Sequence, residues 1–345
     1  MNKGIGIIGC GKIAQIRHIP EFAANPRCHL AGYYNPTRSR AEDMASKYGG
    51  KVYDSIDGML SDPDVDAVVV CLANSVHAEV AVKALEAGKD VLCEKPMATT
   101  MDECLLMLDT ARRTGRLLLI AQNQRLAPAH MKARKLIEEG AIGKVLTFRT
   151  AFGHSGPENW SISPGKDTWF FKPGTAVMGV MADLGVHKTD LVIYLLDSNV
   201  VNVRAKLSTL DKKGPDDELI KVDDNAVCIF TMENGAVGTM TASWTYYGRE
   251  DNSTVIYGTE GIIRIYDSDE HPLQLVSKDG TVRNIETESI QTNDNQTFSG
   301  VADCFLDSLY SGDPGILSAE KIIPAMKAVF GAFASNDSGK SIDIR

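Results

Sequence analysis

The sequence predicts an α/β protein in two parts, an N-terminal doubly wound parallel sheet followed by a second α/β domain whose strands pair mainly antiparallel. Three observations predict it. A glycine-rich turn near the N-terminus joins an apolar run to a helical pattern. From Gly4 to Gln122 short β-branched runs alternate with helical segments, the pattern of βαβ units. Beyond Gln122, strand-like runs follow one another across tight-turn signals such as Asn234-Gly235 and Glu260-Gly261, and such short connections imply antiparallel neighbours. The expected division is therefore residues 1–122 and 123–345.

The first strand, Gly4–Gly9, runs into Gly9-Cys10-Gly11-Lys12-Ile13-Ala14. Gly9 permits a sharp turn, Gly11 permits close approach of backbone to a phosphate, and Ala14 permits close helix packing. The N–H groups at the helix start add donors and partial positive charge, so the turn is suited to a dinucleotide pyrophosphate. A purely structural strand-to-helix turn is the competing reading. Further strands are expected at Cys28–Tyr34, Lys51–Tyr53, Ala67–Leu72, Asp90–Cys93 and Leu117–Ala121, a set that suits a Rossmann sheet. Ala67–Leu72 carries no polar residue and should be buried on both faces. Met101, Leu105 and Leu108 recur at helical spacing in a helix over Met101–Thr114, which Gly115 ends.

In the second part, a helix is expected at about Pro128–Glu139 and a strand near Lys144–Phe152. A long segment rich in Gly, Pro and aromatics leads from there into an apolar helix from about Met178 to Leu196. Strands follow at Val200–Leu210, Ala226–Glu233, Ala236–Thr245, Ser253–Tyr257 and Ile262–Tyr266, with Asp211–Lys221 as a solvated loop. Helices at about Gln296–Tyr310 and Ala319–Ala334 close the chain.

With 345 residues, 43% of them hydrophobic and 23% charged, the chain can bury two cores. A net charge of −9 without clustered Lys and Arg argues against a nucleic-acid surface. The seven cysteines are scattered, mostly in apolar runs and with no CxxC pair, which fits a reducing compartment. No charged-then-apolar leader precedes the first strand, and no apolar run reaches the ~20 residues of a membrane span, so a cytoplasmic protein is expected.

Two groups of residues carry chemistry. Glu94-Lys95-Pro96 follows the strand Asp90–Cys93, at the sheet edge where ligands of such folds bind. An ammonium there offers three donors and a compact charge to a developing alkoxide; an ordinary surface lysine is the alternative. Asp183, His187 and Asp190 recur at helical spacing and so share a face, an arrangement suited to proton relay, because imidazole titrates near neutrality at about 6.5. A core histidine satisfied by its own helix is the alternative. Gly185, unfavourable inside a helix, signals close packing nearby. No metal site is expected, since a single His lies on that face without a second ligand at zinc spacing.

With these residues in view, the chain resembles the Gfo/Idh/MocA oxidoreductases, the group that includes glucose–fructose oxidoreductase and inositol dehydrogenases. The resemblance rests on the Gly9–Ala14 turn, Asn74-Ser75-Val76-His77, Ala87-Gly88-Lys89, Glu94-Lys95-Pro96, Ile137–Gly143, the Asp183/His187 helix and Gly258-Thr259-Glu260-Gly261, in that order. It implies a Rossmann domain followed by an α/β domain with a large, open, mainly antiparallel sheet that often forms a subunit interface, hence a homodimer or homotetramer. It implies Lys95 as the catalytic lysine, Asp183 as the active-site aspartate and His187 as the general acid/base. Cofactor contacts are then expected from Gly9, Gly11, Lys12, Ile13, Asn35, Arg38, Arg40, Leu72, Asn74, His77, Glu94 and Lys95. Substrate contacts are expected from Lys95, Arg125, His154, Trp169, Asp183 and His187.

The chain departs from the family pattern at Leu72-Ala73, where Thr-Pro is frequent, and at Ala176-Val177-Met178-Gly179, where a glycine-rich run is frequent. Asn35 stands where an acidic residue would hold the ribose hydroxyls of NAD. It lacks the charge that repels a 2′-phosphate, and Arg38 or Arg40 lies within reach of one, so NAD and NADP both stay open, with a lean to NAD. The expected activity is hydride transfer between nicotinamide and a secondary alcohol of a sugar, sugar derivative or cyclitol. Two other readings share these residues: a redox-neutral, glycosidase-like enzyme with tightly held NAD, and a non-catalytic nucleotide-sensing regulator.

Overall fold

The computed structural model describes residues 2–287 and 298–345. It divides into two compact units, one formed by Met1–Asn123 with Gln291–Ile322 and the other by Gln124–Ile290 with Ile323–Arg345. The two consecutive segments expected from the sequence thus differ from the packing units, because part of the C-terminal region returns to the first unit. Its helix Val301–Ser311 explains why: Phe305 packs edge-on against Phe22 at 6.3 Å, and Asp303 pairs with Arg27 at 2.6 Å. The start of the helix expected at about Gln296 lies outside the described residues.

In the first unit six parallel strands, β1 (Lys3–Ile8), β2 (Cys28–Tyr34), β3 (Lys51–Val52), β4 (Ala67–Val70), β5 (Asp90–Cys93) and β6 (Leu118–Ile120), lie in the order β3-β2-β1-β4-β5-β6. The strand order reverses between β1 and β4, and the crevice at such a reversal is where doubly wound sheets bind ligands. All four residues of β4 are buried, as its apolar run requires. The helix Met101–Thr114 begins with a reciprocal capping box between Thr100 and Glu103 and ends at Gly115 in the left-handed conformation.

The second unit holds nine strands: β7 (Val145–Gly153), β8 (Val200–Ser208), β9 (Asn225–Met232), β10 (Val237–Ser243), β11 (Thr254–Gly258), β12 (Gly261–Ile265), β13 (Leu273–Ser277), β14 (Val282–Ile285) and β15 (Ile342–Asp343). Their order is β14-β13-β12-β11-β7-β10-β9-β8-β15. Antiparallel pairing holds throughout except between β10 and β7, which are parallel. Along the run β8 to β12, the expectation that consecutive strands are neighbours fails at one place: β7 lies between β10 and β11, whose connection is long enough to cross it.

On β9 the buried residues Ala226, Cys228, Phe230 and Met232 alternate with outward Val227 and Ile229. The inner face of the sheet packs on Met181–Gly185 through β7, β9 and β10, and through β7 on Val186–Leu196, a helix all eleven of whose residues are buried. The apolar helix expected from about Met178 is therefore two pieces, a π turn over Met181–Gly185 and an α-helix over Val186–Leu196. At Gly185 a Cβ would approach Met181 Sδ to 2.7 Å, so any side chain there requires the Met181 thioether to move. Among the described residues no helix is long and apolar enough to cross a membrane.

Candidate active site

In the first unit the glycine turn has two distinct requirements. Gly9 has a φ of +102°, and a Cβ on it would meet the Cys71 carbonyl oxygen at 2.5 Å, so the chain itself demands glycine there. Gly11 has no such constraint: a Cβ would find only the Cys71 oxygen, 3.9 Å away. Packing does not require Gly11, whereas close approach by a phosphate does, so the turn fits the pyrophosphate of a dinucleotide. Lys12 and Ile13 start the helix that follows, which passes at once into a π turn over Ala14–His18.

At the end of β2, Asn35 Oδ1 accepts the Cys10 N–H at 2.8 Å and Asn35 Nδ2 donates to the Thr37 carbonyl at 2.9 Å. The side chain expected to meet the ribose is thus also a clamp on the glycine turn. Arg38 is paired with Glu42 at 2.8 Å and with Asp54. Burial pushes the Cys10 thiol up to about 12 against the opposing charge of Arg40.

Past β4, Leu72 and Ala73 lead into a short 3₁₀ turn over Asn74–Val76 and then the helix His77–Glu86. His77 Nδ1 lies 2.8 Å from the Pro96 carbonyl and Nε2 lies 3.1 Å from the Leu72 carbonyl. Both ring nitrogens therefore face backbone oxygens, and His77 ties the end of β4 to the loop after β5.

That loop carries Glu94-Lys95-Pro96. Glu94 is buried, with Oε1 2.7 Å from His18 Nε2 and 3.8 Å from Arg17 Nη1, and with Oε2 accepting the Lys95 N–H at 3.1 Å. Burial alone would raise its pKa. The hydrogen bond and charge of His18, with the charges of Arg17 and Lys95, outweigh burial and hold the carboxyl well below the usual range. Lys95 itself is half-buried at the carboxyl end of β5. Nothing local in the sequence marks His18 or Arg17 for this role, since both lie more than 70 residues from their partner.

In the second unit Asp223 organises the start of the π turn. Its carboxylate accepts the N–H groups of Gly179 at 2.9 Å and Met181 at 2.7 Å, donors that a helix start leaves unpaired. Gly179 is required there, because a Cβ would lie 1.9 Å from the Asp223 carbonyl oxygen. Val177 sits beside it at φ 65°, a strained conformation for a β-branched residue. Asp183, on the π turn, accepts the Trp244 indole N–H at 3.0 Å.

His187 is 6% exposed. A continuous run of ring contacts joins Trp169 to Phe170, Trp160, His154, Phe152 and finally His187, with centroid separations from 4.0 to 6.2 Å. His154 and Trp169, expected at the substrate, are thus linked through packed rings to His187.

Asp190 does not extend a relay with His187. It receives Arg125 Nε at 2.7 Å and Nη2 at 2.6 Å in a buried bidentate pair, so both Asp190 and that edge of Arg125 are engaged internally. The π turn and this pair together replace the single three-residue face read from the spacing. Lys188 was missed altogether. Wholly buried next to His187, it donates to the Asn252 carbonyl at 2.9 Å and lies 5.8 Å from the Phe152 ring. Burial lowers it to about 7, opposed by the through-space fields of Asp251 and Glu250. Among the described residues no group of three or more His, Cys, Asp or Glu side chains is placed to hold a metal ion.

Two family descriptions match the sequence: residues 3–122 as an oxidoreductase family with an NAD-binding Rossmann fold, and residues 130–264 as the GFO/IDH/MocA C-terminal domain. The chain belongs to the GFO/IDH/MocA oxidoreductase family. Among relatives of this oxidoreductase, levoglucosan dehydrogenase of Pseudarthrobacter phenanthrenivorans is 32% identical over 76% of this chain and 73% of its own. Glucose-6-phosphate 3-dehydrogenase of Bacillus subtilis is 28% identical over 89% and 87%. A levoglucosan dehydrogenase solved with NADH and levoglucosan superposes over all of both chains with a TM-score of 0.89 at 26% identity.

Proposed function

We propose that this oxidoreductase oxidises a secondary alcohol of a sugar, sugar derivative or cyclitol, with NAD as its nicotinamide cofactor. The reading is carried by the full-length likeness to a levoglucosan dehydrogenase that holds NADH and a sugar. Residues 1–122 serve the dinucleotide, and residues 123–345 serve the substrate and self-association.

In this reading His187 takes the hydroxyl proton, and Lys95 stabilises the developing oxyanion through its ammonium. Asp183, fixed by Trp244, orients His187 or accepts a neighbouring hydroxyl. The nicotinamide, when bound, accepts the hydride. Gly9, Gly11, Lys12 and Ile13 form the phosphate cradle, and Leu72, Asn74, His77 and Glu94 shape the edge beside it. The lean to NAD is supported by the pairing of Arg38 with Glu42 and Asp54, which neutralises a cation otherwise suited to a 2′-phosphate. Arg40 is the residue through which NADP would be accepted. His154, Trp169 and Arg125 shape the substrate side. Outward Val227, Ile229 and Val237, each more than two-fifths exposed, support a second copy of the chain as the partner, in a homodimer or homotetramer. Seven free cysteines fit a cytoplasmic setting.

The test is reduction of NAD and of NADP, followed at the reduced-nicotinamide absorbance, with levoglucosan, glucose, glucose 6-phosphate, alkyl glucosides and myo-inositol. Turnover with NAD and at least one of these polyols is the expected result. Tight NADH binding without net reduction overturns the dehydrogenase reading; in that case release of the alkyl group marks the redox-neutral enzyme, and its retention marks a sensor.

A further inference from the structure

We propose that His18 is a positioning residue for Lys95, acting through Glu94, so that the helix leaving the glycine turn and the lysine after β5 form one mechanical unit. The proposal rests on the reading of Lys95 as the group that meets the reacting hydroxyl.

The geometry divides the Glu94 carboxylate between two tasks. Oε1 faces the first helix, at 2.7 Å from His18 Nε2 and 3.8 Å from Arg17 Nη1. Oε2 turns back to accept the Lys95 N–H at 3.1 Å. On the other side of Lys95, the Pro96 carbonyl is held by His77 Nδ1 at 2.8 Å. The backbone from which the lysine projects is therefore gripped on both sides, by a carboxylate that His18 orients and by an imidazole anchored on the helix after β4.

The grip on the Glu94 side depends on His18 more than on Arg17. His18 is wholly buried and in hydrogen-bond contact, whereas the arginine approaches only to 3.8 Å. Its position on the π turn Ala14–His18, which opens three residues after Gly11, ties this contact to the cradle itself. A bond of this kind fixes a carboxylate far better than a solvated pair, because a buried charge has no water to turn to.

The experiment compares His18→Leu, His18→Gln, Lys95→Met and the His18→Leu/Lys95→Met double variant, with the polyol that gives turnover in the native enzyme. Three readouts are taken: kcat and KM, the NADH dissociation constant by fluorescence, and hydrogen exchange of the Lys95 backbone amide. His18→Leu should lower kcat at least 30-fold with KM and NADH affinity within 3-fold, and should speed Lys95 amide exchange at least 10-fold while Val69 and Leu92 stay unchanged. His18→Gln, which keeps a donor for the carboxylate, should recover kcat to within about 5-fold of native. The double variant should be no slower than Lys95→Met alone, since a residue acting only through the lysine has nothing further to remove. If His18→Leu does not fold, His18→Met takes its place in every comparison with the same expectations.

The proposal is overturned if the Lys95 amide exchanges at the native rate in the variant, if kcat stays within 3-fold of native, or if the two losses multiply in the double variant. Failure of the underlying reading looks different: Lys95→Met itself would then turn over at the native rate.

Discussion

Glu94 in the first unit and Lys188 in the second are both wholly or nearly buried ionisable groups, and each adjoins a candidate catalytic residue, Lys95 and His187 respectively. Their surroundings drive them in opposite directions. Glu94 has His18 and Arg17 against it and is held ionised despite burial. Lys188 forms no ion pair among the described residues; its bond is to a neutral carbonyl, and burial lowers it to about 7. Burial is common to both, so the partner decides whether a charge is kept. One neighbour of the site is a permanent anchor, while the other changes charge near neutral pH.

The largest effect on stability should come from breaking the anchor. Glu94→Ala leaves Arg17 and His18 buried without their anion and should destabilise the protein by about 3–5 kcal/mol in urea unfolding at pH 7. The sign with pH follows from the lowered pKa: the contribution of Glu94 is fully present above the ordinary carboxylate value and is lost as pH falls toward the lowered one. Native and variant should therefore converge in acid. A variant as stable as native at pH 7 would remove the contrast.

Lys188 should behave in reverse. Between about pH 7 and its ordinary value of 10.5 the unfolded chain holds a proton that the folded chain lacks, so this residue makes stability rise with pH across that window. Below about 7 both states are charged and the penalty is constant. Lys188→Met should abolish the rise and add on the order of 2 kcal/mol of stability at pH 6. A loss of stability at pH 6 would show that the Asn252 contact outweighs the buried charge.

The smallest effect separates ligand from packing within the glycine turn. Gly11→Ala should leave unfolding within about 1 kcal/mol of native and weaken NADH roughly 10-fold, because the added methyl enters space that the chain leaves open. Gly9→Ala should instead cost folding itself. Equal destabilisation by both changes would remove the distinction.

Much of the fold is legible along the chain, for reasons that particular residues make plain. Ala67–Val70 announces a central parallel strand by its lack of any polar side chain, and Thr100, Glu103 and Gly115 mark the ends of their helix. Asn234-Gly235 and Glu260-Gly261 mark real hairpins, β9–β10 and β11–β12. What local signals cannot report is pairing at a distance. The insertion of β7 between β10 and β11 has no turn to advertise it, and β13, β14 and β15 are too short or too polar to stand out.

The site follows the same division. Glycines, lysine, aspartate and histidine declare themselves by local pattern. Their holders, His18, Trp244, Asp223 and Arg125, are brought in from 42 to 76 residues away. The π turns at Ala14–His18 and Met181–Gly185 also have no distinct spacing, which is why Asp183, His187 and Asp190 read as one face of a plain α-helix.

The proposed function turns on Lys95 as cation and His187 as base in the oxidation of the alcohol. The most direct measurement is the single-turnover rate of NAD reduction as a function of pH in the native enzyme, Lys95→Met and His187→Asn, at saturating cofactor and polyol. Both variants should fall by about 10²–10⁴, and His187→Asn should change the shape of the pH profile while Lys95→Met keeps the native one. A His187→Asn enzyme with the native rate and the native pH profile would contradict the account.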